Sequence, residues 1–119
     1  MPHKEKEVIW LGSSLRELSA FPKEVKQTFG AAIYYAQLGG KHPQTKPMKG
    51  HKGAGVLEIV EDFDKETYRC IYTVRYGDRV YVLHAFQKKS KKGIATPQTD
   101  LDVVKARLKD VKELEGIKS

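Results

Sequence analysis

Three stretches of the chain concentrate cationic and aromatic side chains. Residues 39–55 hold Lys46, Lys49, His51 and Lys52. Residues 67–76 hold Arg69 and Arg75 among Tyr68, Tyr72 and Tyr76. A third stretch carries His84, Phe86, Lys88, Lys89, Lys91 and Lys92. Ammonium and guanidinium groups hold phosphates, and aromatic faces stack unpaired bases. Such groups can also cleave RNA without a metal. A 2′-hydroxyl attacks the adjacent phosphate in line, a base takes its proton, an acid protonates the leaving oxygen, and cations stabilise the charged transition state. Crowding depresses the pKa of a lysine and brings it into range as the base. Arginine offers a fixed fork to the phosphate oxygens. The sequence leaves open which group is base and which is acid.

Other chemistries lack their residues. No glycine-rich loop joins a strand to a helix, and there is no G-x-S-x-G elbow. His3, His42, His51 and His84, with the single Cys70, do not have zinc-site spacing. Glu61, Asp62 and Asp64 crowd a hairpin turn, where solvated charge is ordinary. No metal and no cofactor is therefore expected. The candidates also have plainer readings. His84, between Leu83 and Ala85, suits a hydrogen-bonded core position. Arg69 can pair with a strand carboxylate such as Glu58, and the lysines after Phe86 can form a solvated run.

The chain of 119 residues suits a single domain spanning 1–119. Hydrophobic residues at 39% and charged residues at 31% suit a globular protein. A net charge of +7 attracts polyanions, nucleic acid first among them. One cysteine excludes an internal disulfide, the first residues lack an apolar signal region, and no stretch has the length of a membrane span. A cytoplasmic protein with no membrane contact is expected.

Short elements must position these residues. Residues 7–11 (EVIWL) predict a first strand. Ser13 or Ser14 is placed to cap a short helix from Leu15, with Glu17 completing a capping box. Pro22 opens a second helix with Val25, Phe29, Ala32, Ile33 and Ala36 on one face. Gly39 and Gly40 end it, and residues 39–55 read as a loop. Stretches 56–63, 67–76 and 79–88 predict an antiparallel meander. Thr99 or Asp100 is placed to cap a last helix with Leu101, Val104, Leu108 and Val111 on one face. The fold class is α+β, with helices on one side of a small, mostly antiparallel sheet.

The run YVLHAFQKKSKKGIATP at 81–97 resembles the signature of phage-derived HigB-like proteins within the RelE/ParE toxin superfamily. So do WLGSS, Phe21-Pro22, QLGGKHP, GVLEIVED and TYRCIYTVR, and the similarity covers nearly the whole chain. The resemblance implies a RelE-like curved sheet with two N-terminal helices and a C-terminal helix. It implies a type II toxin that cleaves mRNA on the ribosome, a helix-turn-helix antitoxin as partner, and operator DNA contacted only through the antitoxin complex. Residue by residue, Arg69 matches the family's arginine for the scissile phosphate. Lys88 and Lys89 match its paired lysines, and His84 and Phe86 the residues before them. This makes Arg69, His84, Lys88 and Lys89 the catalytic candidates. Lys49, His51, Lys52, Arg75, Phe86, Lys91 and Lys92 are the RNA-binding candidates.

The chain departs from the pattern twice. Val60 stands where many relatives carry arginine, and no aromatic residue follows Phe86. These departures keep two alternatives in view: a noncatalytic superfamily member that binds RNA or poisons a protein such as gyrase, and a prophage remnant.

Overall fold

A computed structural model describes residues 5–51, 55–88 and 96–117. In chain order these form β1 (Glu7–Trp10), α1 (Ser14–Ser19), α2 (Lys23–Gln37), β2 (Thr45–Pro47), β3 (Val56–Phe63), β4 (Glu66–Thr73), β5 (Arg79–Lys88) and α3 (Gln98–Leu114). The meander forms because its turns are tight. Asp64 and Lys65 both take positive φ, 52° and 67°, the pair of values that a two-residue hairpin turn needs, and Phe63 thereby faces Glu66. The five strands make one open sheet in the order β1-β5-β4-β3-β2. β1 lies parallel to β5 and every other pair is antiparallel, so this α+β domain has a mixed sheet.

The strands decide where the helices go. Successive side chains of a strand point to opposite faces. In β5 both sets are apolar. Val80, Val82 and Ala85 pack with Val25, Phe29, Ala32, Ile33 and Ala36 of α2. Tyr81, Leu83 and Phe86 pack with Val104, Leu108 and Val111 of α3. A strand that is apolar on both faces must be covered on both. The helices therefore lie on two faces, not on one as the sequence suggested.

Four other expectations change. The stretch 39–55 contains β2, a three-residue edge strand whose Lys46 faces Glu58 of β3. Strand β4 ends at Thr73, and Tyr76 lies in the α3-side core while Tyr68 and Tyr72 lie in the α2-side core. The capping box at α1 does not form, because both serine side chains are engaged elsewhere. Ser14 Oγ donates to the Val82 carbonyl at 3.3 Å, and Ser13 Oγ accepts from Arg107 Nη2 at 3.3 Å. Helix α3 starts at Gln98 behind Pro97, which leaves Asp100 in its first turn and free of capping duty. Among the described residues no helix is long and apolar enough to cross a membrane.

Candidate functional site

Strict alternation along β5 would put His84 on the same face as Val80 and Val82, beneath α2. A bulge prevents this. Ile71 of β4 faces His84, yet the next residue, Tyr72, faces Val82, so Leu83 is one residue more than β4 can pair. The extra residue shifts the alternation, and His84, Phe86 and Lys88 all turn to the α3 face. His84 Nε2 meets Asp100 Oδ1 of α3 at 2.7 Å, and its ring stacks on Phe86 with centroids 5.0 Å apart. His84 Nδ1 is buried with no hydrogen-bond partner among the described residues.

Beyond His84 the same face carries a cluster of charge. Glu58 of β3 is the carboxylate at its centre. Arg69 of β4 holds Glu58 with Nη1 at 2.8 Å from Oε2, and Lys46 of the edge strand lies 3.8 Å from Oε1. The Arg69 and Glu58 side chains are only 16% and 7% exposed, so the pair is largely out of water. Lys88, at 4% exposure, joins them from β5. Its pKa is pushed below the usual lysine value, first by burial and then by the Arg69 and Lys46 cations; Glu58 opposes that shift. Three cations against one carboxylate leave the cluster net positive. Arg69 Nε, buried, has no hydrogen-bond partner among the described residues and remains as a donor. Such a site can hold a phosphate by charge-assisted hydrogen bonds, and it disfavours the charged form of an amine.

The sequence candidates fall into four places. Arg69 and Lys88 come together around Glu58. His84 and Phe86 lie further back along β5, and the Phe86 ring, 6% exposed, is packed in the α3-side core. His84 and Lys88 are four strand residues apart, about 13 Å, too far to serve one phosphate together. Lys49 and His51 sit on the turn after β2. There the His51 N–H donates to the Met48 carbonyl at 3.1 Å, and Gly50 supplies the φ of 86° that the turn requires. Arg75 is exposed beyond the far end of β4, its side chain packed close to Gly55. Lys52, Lys89, Lys91 and Lys92 lie outside the described residues. Val60 faces Arg69 directly across the β3–β4 pair.

Sequence reasoning gave Lys46 and Glu58 minor parts, a loop cation and a plain ion-pair partner, and it missed Arg107. Arg107 Nη1 donates to the carbonyl of Leu83, the bulged residue, at 2.9 Å. The guanidinium passes so near Gly12 that a Cβ there would lie 2.6 Å from Nη2. Arg107 therefore supplies a donor to the carbonyl of the residue that β4 leaves unpaired. Replacing Arg107 by Met is expected to cost about 1–3 kcal/mol, the penalty of a buried acceptor left unpaired. It should also broaden the His84 ring signals in NMR as the bulge loosens. Unchanged urea unfolding would show that the carbonyl finds water instead.

Among the described residues no three His, Cys, Asp or Glu side chains gather as a metal-binding group. The family model described as "Phage derived protein Gp49-like (DUF891)" matches residues 16–109, which include β3, β4, β5 and every member of the Glu58 cluster. No curated protein matches the chain.

Proposed function

The chain belongs to the Gp49-like family of phage-derived proteins, a member of the RelE/ParE-like toxin superfamily, and on that premise we propose that it is a metal-independent mRNA endonuclease, the toxin of a type II toxin–antitoxin pair. RelE-type toxins, to which the family is related, are endoribonucleases. The observation that carries the reading is Lys88, a buried residue set beside Arg69 in a site with more cations than carboxylates, where its pKa is lowered.

In this reading the scissile phosphate lies against Arg69 and Lys46. Neutral Lys88 Nζ takes the proton of the 2′-hydroxyl. The freed oxygen bonds to phosphorus as the bond to the 5′-oxygen breaks, and that oxygen takes a proton from solvent. The products are a 2′,3′-cyclic phosphate and a 5′-hydroxyl end. Lys46 supplies the second cation at a site where Val60 supplies none. Glu58 keeps the three cations together while the site is empty of RNA. His84, held by Asp100, anchors the start of α3 to β5 and fixes Phe86. The ribosome as the setting and a helix-turn-helix antitoxin as the partner belong to the same proposal.

Primer extension on a defined mRNA in a reconstituted translation reaction tests it, with wild type and Arg69→Ala, each with and without ribosomes. Cuts that depend on wild-type protein and fall about 10²–10³-fold in the variant support the reading, the loss expected when a preorganised donor to a developing anion is removed. Intact message under translation arrest would sink it in favour of a noncatalytic target.

A further inference from the structure

Away from the Glu58 cluster, a cleft of about 630 Å³ opens between the turn at 48–51 and helix α3. Its α3 wall carries Lys105, Lys109 and Lys112 above Leu108, with Asp102 at one end, and His51 forms the opposite lip. The three lysines stand at i, i+4 and i+7, one face of a helix over about 10 Å of axis. None of them makes an ion pair within 4.0 Å among the described residues, so their charge is available to a ligand. The volume is that of a small-molecule pocket, enough for a single flat ring system, and an imidazole lip is a surface on which a base can stack.

One chain segment links the cleft to the charged cluster. Lys46 lies 3.8 Å from Glu58, and His51 is five residues further along, so the backbone at these two residues is at most about 18 Å apart. Lys49, exposed, lies on the way. A polyanion bound at Arg69 and Lys88 meets a second set of cations if it follows the β2 edge.

We propose that the cleft between the turn at 48–51 and α3 is a second RNA contact, where one unpaired base of the bound strand enters against His51 and Leu108 while Lys105, Lys109 and Lys112 hold the neighbouring phosphates. The inference rests on the nuclease reading only for the identity of the polyanion. The cleft sets the length of single strand the protein engages, and the Glu58 cluster acts on a bond within it.

Single-stranded RNA oligonucleotides of graded length, 2′-O-methylated throughout so that they bind without being cut, provide the test. Their affinity is read by fluorescence anisotropy across a salt series for wild type and for Lys105→Gln/Lys109→Gln/Lys112→Gln, and cleavage of unmethylated RNA is followed alongside. The variant should unfold at the wild-type temperature, because Lys105 and Lys109 are exposed and Lys112 is half-buried. It should bind the longer oligonucleotides at least tenfold more weakly. The slope of log affinity against log salt should shrink by about 2, three phosphates at ~0.7 each. The shortest oligonucleotide should bind both proteins equally. His51→Ala should weaken the longer ones without changing the slope.

Equal affinities and equal slopes would overturn the proposal. Unchanged RNA binding with lost binding of polyglutamate would overturn it too, and would assign the face to an acidic protein. Wild type that binds with the full slope and cuts neither free RNA nor message on the ribosome would refute the nuclease reading and leave the cleft standing. Wild type and variant that bind and cut alike would do the reverse.

Discussion

Lys88→Met will cut RNA about 10²- to 10⁴-fold more slowly than wild type, the range for removal of a proton-transfer group, and will resist urea as well as wild type or better. The opposite signs share one cause. Lys88 is buried beside Arg69 and Lys46, and its charged form is disfavoured there. A methionine of similar length removes that desolvation and repulsion, and replacing a buried charge by an apolar group is often neutral or stabilising. In the proposed nuclease, the same desolvation that costs stability makes the amine a base. A variant that lost both activity and stability would show Lys88 to be a structural member of the cluster.

The same lysine gives a pH signature. Its folded pKa lies below the unfolded value near 10.5, so between the two the unfolded chain binds the proton and the folded chain does not. Stability therefore rises with pH through that window, and below the folded pKa the full cost of the buried charge is present. Cleavage should rise over the alkaline side as Lys88 loses its proton. Arg69→Gln removes a cation that lowers the pKa and should move this limb to higher pH. Glu58→Gln removes a carboxylate that raises it and should move the limb to lower pH. Shifts of equal sign in a pH–rate profile would take Lys88 out of the base role.

Glu58→Ala should lose about 3–5 kcal/mol of stability, the usual result of stripping one partner from a buried ion pair. Arg69 then stands with its Nη1 as well as its Nε short of an acceptor, facing two lysines with no carboxylate between them. Phosphate should restore much of the loss, because a bound anion that favours the folded state stabilises by mass action. It should do far less for wild type, where Glu58 already holds the donors. Urea unfolding of both proteins in chloride and in phosphate measures this directly. A variant of wild-type stability, or one indifferent to phosphate, would mean the three cations are solvated and that the cluster is no anion site.

Much of this protein is legible in its residues. The face of α2 could be read because five apolar positions repeat at helical spacing, and the meander because strands rich in valine, isoleucine and tyrosine are joined by turns of two or three residues. The concentration of cations was equally visible, and residues 16–109 carry enough family pattern to place the chain among Gp49-like proteins.

Strand β2 escaped notice for a physical reason. Three residues with Lys46 and Pro47 have loop composition, yet lysine and proline are what an edge strand uses, since one side of it needs no partner. Only that edge brings Lys46 to Glu58. The two-faced cover followed from β5 being apolar on both sides, which alternation displays but which a one-sided reading of the helices overlooked. The aim of His84 lay beyond any pattern. A period of two assigns a face only while each residue has a partner, and the unpaired Leu83, held by Arg107 from α3, turns His84, Phe86 and Lys88 together onto the α3 face. The residue types and their periodicity displayed the concentration of cations and most of the elements that carry it. The tertiary structure decided which charges meet, because that depends on one bulge and one edge strand whose stability comes from partners distant along the chain.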